Sequence, residues 1–266
     1  MCAATAMAVY GVENFAAVSA LEVGLMFFQA IGLKITSSGY YKYRVNRDEE
    51  DIDFVEVSLV DLKEAIKTKG ATSFRLYCEN KSGKLWDASF GYSTPDFGGF
   101  YHFDAQCVHP YFDKEKFMTL MEKLAESRSF GYAIYYSVDD VSDGFYYAEG
   151  ENLVSIYSYE NPALFSRETG GRFKGAERYK DKLLRMVYSV NVLNEKHLCL
   201  DVEGASLRDW ILSNDRYGPL KAIANGMWVW EVDEKELAQV NKVLGGAGVL
   251  ISWKSTRSSQ RSKFLP

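Results

Sequence analysis

Proline is scarce in this chain, with 5 in 266 residues. Long proline-rich linkers are therefore excluded. Cysteine is scarcer still. The 4 copies (Cys2, Cys78, Cys107, Cys199) are far apart and form no CxxC pair. That spacing argues against a disulfide framework and fits reduced thiols in a cytoplasmic protein. There are 3 histidines, His102, His109 and His197, and no His-x3-His spacing. No Gly-x-Ser-x-Gly elbow and no Walker A run occurs. Between Met1 and Leu33 there is no Lys or Arg, so a secretory segment would lack its basic start. The apolar run Ala16 to Leu33 contains Glu22 and Gln29 and falls short of the roughly 20 apolar residues of a membrane span. It reads as a largely buried helix, and no membrane partner is expected.

Hydrophobic residues make up 47% of the chain and charged residues 25%, as in an ordinary globular protein. Aromatic content is high at 15%, mostly Tyr and Phe, which suit pleated and half-buried surfaces. The net charge of −5 disfavours nucleic acid, whose binding needs clustered Lys and Arg. It suits a surface that meets a basic protein, or one that only aids solubility.

One pattern occurs twice. Phe112-Asp113-Lys114-Glu115-Lys116-Phe117 opens an amphipathic run, and Val232-Asp233-Glu234-Lys235-Glu236-Leu237 opens another. Each is followed by an apolar strand-like run, Gly131 to Tyr136 and Gly248 to Trp253. The expected fold is therefore α+β, with antiparallel sheets covered by helices and two similar halves, each with a capped helix followed by a strand. The halves are placed at 1–138 and 182–254, joined by an acidic-aromatic then basic region at 139–181. A mobile basic tail at 255–266 follows.

Local signals fill in the halves. Phe15 to Leu33 reads as a helix ended by Gly32. Arg44 to Asp53 reads as a loop. Ser58 and Ser206 each precede an Asp by three positions, the spacing of a reciprocal helix cap. Gly70 is expected to stop the first of these helices in a left-handed conformation. Ser73 to Cys78, Leu85 to Phe90 and Phe100 to Ala105 read as a meander of strands, with Lys81-Ser82-Gly83 as a turn. Leu183 to Val192 fits helix or strand. Pro219 is expected in the first turn of a short helix ending at Asn225-Gly226. In Met227 to Val232, Val229 points one way and Trp228 and Trp230 the other.

Candidate chemistry is thin. His102 and Asp104 are two apart and share a strand face, so they head the enzymatic alternative, a hydrolase or transferase. A metal reading would add His109, but the spacing favours a hydrogen-bonded strand histidine, and neither a metal nor a cofactor is expected. Cys107/His109 and Cys199/His197 have no third, orienting group in view. The Gly170 to Gly175 run lacks the terminal Lys-Ser/Thr pair of a phosphate loop and reads as solvated. Val138 to Ser166 is more distinctive. It carries Asp139, Asp140, Asp143, Glu149, Glu151 and Glu160 among tyrosines, and no Lys or Arg. Acidic groups there steer a basic partner while tyrosines supply contact area. Alternatively, the tyrosines turn inward under a solvated loop. The contact candidates are Asp139, Asp140, Asp143, Tyr146, Tyr147 and Glu149.

Leu184 to Leu193, His197-Leu198, Ser206-Leu207-Arg208-Asp209-Trp210-Ile211, Trp230-Glu231-Val232 and Ala247 to Leu250 resemble the immunity-type proteins found beside bacterial polymorphic toxins, including type VI secretion and Rhs effectors. The resemblance covers the C-terminal half only. It implies a cytoplasmic, non-catalytic protein whose partner is a cognate protein toxin, neutralised by occlusion of its active site. It carries no shared catalytic residues.

Overall fold

The computed structural model describes residues 4–44, 51–79, 85–170 and 174–254. Cys2, the Lys81-Ser82-Gly83 turn, residues 45–50, residues 171–173 and the tail 255–266 lie outside the described residues.

The first described element is β1 (Ala4–Tyr10), every residue of which is buried. Sequence reading gave no strand here. A strand covered on both faces shows no polar alternation to betray it. Helix α1 (Ala17–Ile31) follows and ends at Gly32 in the left-handed region, as the sequence suggests. Next come β2 (Ser37–Tyr43), β3 (Ile52–Val57) and α2 (Leu59–Lys67). Ser58 caps α2 by accepting from the Asp61 amide. The left-handed residue at its far end is Lys69 at φ 58°, not Gly70. The meander is present as β4 (Phe74–Cys78), β5 (Ala88–Ser93) and β6 (His102–Val108), the last two starting later than expected. Helix α3 (Lys114–Ser127) is capped by Asp113 and leads into β7 (Tyr132–Val138).

The acidic-aromatic stretch is not a loop throughout: its two ends are helical. Asp140 caps a helix, α4 (Val141–Glu149), closed by left-handed Gly150. Then come α5 (Pro162–Ser166), β8 (Val190–Asn194) and α6 (Glu195–Leu198). A small hairpin of β9 (Asp201–Val202) and β10 (Ala205–Ser206) precedes α7 (Leu207–Leu212), capped by Ser206 as expected. Pro219 opens no helix: it leads into β11 (Leu220–Ala222). The chain closes with β12 (Met227–Glu231) and α8 (Leu237–Ala247).

Ten strands form one antiparallel sheet in the order β11-β12-β8-β7-β1-β6-β5-β4-β2-β3. The N-terminal strand is central, paired with β6 on one side and β7 on the other. The sheet therefore runs across the boundary drawn from the sequence, through the β7–β8 pair. Two apolar layers flank it. One face meets α1, α2 and α3 through residues such as Phe27, Leu62, Phe90 and Phe117. The other meets α4, α5, α7 and α8 through Tyr147, Phe165, Trp210 and Leu244. Burial in these layers is the main stabilising term. No helix among the described residues is long and apolar enough to cross a membrane.

The α+β class with antiparallel strands and covering helices is thus as expected, but the two repeated units differ in setting. α3 has a side-chain cap, whereas α8 starts at Leu237 without one. Asp233 instead accepts from the Lys235 amide in the preceding turn. The units lie in different apolar layers, on opposite faces of the sheet. Gly248 to Trp253 forms only isolated bridges, Leu184 to Leu250 and Glu160 to Trp253.

Candidate functional site

β6 alternates Phe103, Ala105 and Cys107 toward one layer with His102, Asp104 and Gln106 toward the other. All six are buried. The polar three need partners, because a buried polar group left unpaired is costly. Arg75 of β4 reaches across β5 and donates to both Asp104 oxygens, Nη1 to Oδ1 at 3.1 Å and Nη2 to Oδ2 at 2.5 Å. The crossing is possible because β5 has Gly91 there. A Cβ at that position would lie 2.4 Å from Arg75 Nη1 and 2.5 Å from Asp104 Oδ1. Gln106 donates to Asp104 Oδ2 at 2.6 Å and accepts from Ser89 at 2.5 Å. Burial pushes the Asp104 carboxyl up, but the Arg75 charge and hydrogen bonds outweigh it and hold it below the ordinary range.

His102 stacks on Phe100 with ring centres 4.3 Å apart. Its Nδ1 lies 2.9 Å from the Phe100 carbonyl oxygen. A carbonyl only accepts, so Nδ1 carries the proton and Nε2 presents a lone pair. Nε2 is buried and has no hydrogen-bond partner. It is 3.8 Å from Asp104 Oδ1 and 3.9 Å from Glu149 Oε1, too far for a hydrogen bond to either. Burial lowers the His102 pKa, keeping the ring neutral.

Glu149 arrives from α4. That helix lies close on β6 and β1 because Gly144 faces them. A Cβ there would stand 2.7 Å from the Gln106 side chain and 3.1 Å from Ala6 Cβ. The Glu149 side chain is 21% exposed. Burial pushes its carboxyl up to about 8, against the pull of Arg75 and with further push from Asp104 and Glu151. His102 and Glu149 form part of the wall of a cavity of about 450 Å³, with Gly98, Gly99 and Phe100 on one side and Ala163, Ser166 and Thr169 on another. Its lining includes Asn152 and Leu153, both left-handed at φ 50° and 52°. Leu153 is 65% exposed. A second depression, of about 780 Å³ and bordered by Asp233 to Glu236, contains no unpartnered buried side chain.

The six contact candidates part company in the fold. Asp139 is exposed, and Asp143 and Tyr146 are partly exposed on α4. Burial, Asp140 and Asp139 raise the Asp143 carboxyl. Asp140 caps α4, accepting from the Ser142 amide at 2.9 Å. Glu149 faces the cavity. Tyr147 is a correction: it is fully buried, with its hydroxyl on Glu160 and Tyr188, and offers no contact surface. The other chemical candidates resolve as well. His102 and Asp104 do share a face, but both Asp104 oxygens are engaged. His197 is held by Asn194 and Tyr179 and not by Cys199. Cys107 is buried, and burial raises its thiol to about 12, whereas His109 is exposed.

Beyond α4 the same sheet face lies open. Register with Asp104 and Arg75 puts Tyr41, Tyr77 and Phe54 on this side. Tyr41 and Phe54 have ring centres 5.2 Å apart, Tyr43 and Phe97 5.2 Å, and Tyr77 and Trp86 5.4 Å. Phe145 of α4 borders this shelf, 4.2 Å from the Arg75 guanidinium carbon. The described helices against β2 to β5, α1 and α2, cover the opposite face. Tyr43, Ile52 and Phe54 are accordingly 46%, 40% and 37% exposed.

Sequence reasoning missed Arg75, Gln106 and the pairing of Glu149 with His102. The available signal was a lone charge in the apolar run Phe74-Arg75-Leu76 and a polar residue at every second position of β6. Neither says which distant partner answers it.

No protein-family model matches the chain, and no curated protein does. Among solved structures, it is similar to a Pseudomonas aeruginosa T6SS protein, PA0821, at 11% identity and a TM-score of 0.56, over 94% of this chain and 76% of that one. At that identity the likeness is one of fold: the same α+β arrangement accommodates both sequences.

Proposed function

We propose that this chain is an immunity-type protein that binds a secreted bacterial toxin in the cytoplasm and occludes its active site. The observation that carries the reading is the fold likeness to a T6SS protein along nearly the whole chain, together with the C-terminal resemblance to immunity-type sequences. The acidic-aromatic surface supports it. Asp139, just before the α4 cap, and Asp143 and Tyr146 on α4 lie on the same side of the sheet as the open shelf of Tyr43 and Phe54, which α4 borders through Phe145. The partner that fits is the basic face of a protein toxin: carboxylates stand in for phosphate, and rings supply rigid contact area.

A second reading, an enzyme that reverses the toxin's damage, is favoured by one observation: the cavity that ends on His102 and Glu149. One experiment separates them. The chain is titrated against the product of the neighbouring toxin gene, with toxin activity and complex formation read together. Occlusion gives a stoichiometric end point and a stable complex. Full protection at a small fraction of one equivalent supports the enzyme. Absence of both binding and protection removes the immunity reading.

A further inference from the structure

The cluster beneath the cavity has a property that neither reading uses. His102 Nε2, Asp104 Oδ1 and a Glu149 carboxylate oxygen all lie within 4.8 Å of one another. The first two are acceptors, and Glu149 becomes the third once its carboxyl, raised by burial, gives up its proton. Nε2 is a lone pair because Nδ1 donates to the Phe100 carbonyl. Asp104 Oδ2 takes the short bonds from Arg75 and Gln106, leaving Oδ1, the oxygen nearer His102, with one bond at 3.1 Å. A buried imidazole nitrogen without a donor, facing two carboxyl groups, is a costly arrangement that either a cation or the Glu149 proton could relieve.

We propose that His102, Asp104 and Glu149 form a binding site for a divalent transition-metal cation of the Zn2+ or Mn2+ class. The donor set is one imidazole nitrogen and two carboxylate oxygens, which suits these ions better than the all-oxygen preference of Ca2+ or Mg2+. Ligands tetrahedral about Zn2+ stand about 3.4 Å apart. The Nε2 to oxygen distances of 3.8 and 3.9 Å need to close by only about half an ångström. Glu149, partly exposed at the end of α4, is the ligand that makes that movement, giving up its hydrogen bond with Ser93. The outer supports are in place. The Phe100 carbonyl fixes the imidazole tautomer, and Arg75 and Gln106 fix the Asp104 carboxylate. The Arg75–Asp104 pair is neutral as a unit, so a dication opposite Glu149 leaves one net positive charge. The remaining coordination positions open toward the cavity, where water or an anionic ligand group completes the balance. Glu149 takes the place that the sequence could only offer to His109, which is exposed at the far end of β6.

The test uses the full chain without a histidine tag, stripped of metal and titrated with Co2+, followed by visible absorption and calorimetry. One Co2+ per chain is expected, with ligand-field bands that Zn2+ abolishes by displacement. Glu149→Gln and His102→Gln each weaken binding by at least about tenfold, which is roughly 1.4 kcal/mol. Circular dichroism checks the fold of both variants. Should His102→Gln fail to fold, the partly exposed Glu149→Gln decides alone. Absence of stoichiometric Co2+, Zn2+ and Mn2+ binding at millimolar metal overturns the site, as does unchanged affinity in a folded Glu149→Gln protein. Toxin binding is measured separately, so neither result can be mistaken for the other.

Discussion

Arg185 is fully buried, as is the side chain of Glu160, and its Nε stands 3.7 Å from Glu160 Oε1. Its Nη1 donates to Tyr10 at 3.2 Å and to the Tyr147 carbonyl at 2.5 Å, and its guanidinium carbon is 3.5 Å from the Tyr147 ring centre. Breaking such a pair leaves one charge stranded. Arg185→Met should therefore cost about 3–5 kcal/mol, read as a lower denaturation midpoint. Adding Glu160→Gln should recover part of that loss. A second residue sets an acid limit. Burial depresses the His197 pKa from 6.5 to about 4. The folded state holds it neutral while the unfolded state takes up a proton, so its contribution is complete above about pH 6.5. That contribution falls away as pH drops toward 4 and amounts to no more than about 3 kcal/mol. Across that window, urea midpoints of His197→Gln should fall less steeply than those of the parent. An identical slope would show that His197 does not titrate as described. Neither effect was legible in the sequence, where Arg185 and His197 look like ordinary polar residues in an apolar run.

At the scale of elements, caps were readable and contacts were not. Ser58 and Ser206 accept from the amides of Asp61 and Asp209, each at 3.1 Å, and each serine hydroxyl also bonds its aspartate. These are local signals completed within one turn. Ser206→Ala should lower stability by about 1 kcal/mol. The repeat at Asp113 and Asp233 showed the limit of such reading. The same letters start a capped helix in one place and a turn before α8 in the other, because each segment settles against a different layer. α4 is placed by contact instead of by cap. Its Gly144 approaches Gln106 and Ala6 so closely that Gly144→Val must push the helix off β6. A loss of about 1–3 kcal/mol is expected, along with changed chemical shifts around the cavity that Glu149 borders. Shifts confined to the mutated turn would show that α4 does not position the cavity.

For the whole molecule, β1 is decisive. It joins β6 to β7, and through β7 the sheet continues to β8 and β12. Separately expressed 1–138 and 182–254 should thus fail to give two cooperative units, and the full chain should unfold in one transition by both circular dichroism and tryptophan fluorescence. Two resolved transitions would restore independent halves. The proposed docking surface belongs to this scale as well, because it draws on both α4 and the far strands of the sheet. Asp139→Lys with Asp143→Lys should slow association with the toxin at least about tenfold at low salt, with a smaller effect at high salt. Asp140 is left intact, since its reversal would remove the α4 cap. Truncating Tyr43 or Phe54 should act on dissociation instead, costing about 2 kcal/mol for a central anchor.

The sequence by itself determined the fold class, the capped helix starts at Ser58, Asp113 and Ser206, the meander, and the division of Val229 from Trp228 and Trp230. Each follows from residues within a few positions of one another, where backbone geometry and local hydrogen bonds decide. Tertiary structure alone decided that Ala4–Tyr10 is the central strand, that Tyr147 faces inward while Asp139 faces out, and that Arg75, Asp104, His102 and Glu149 meet. The physical reason is shared. A buried charge or lone pair takes whatever partner the packing of the sheet and α4 brings within reach, and that partner lies tens of residues away along the chain.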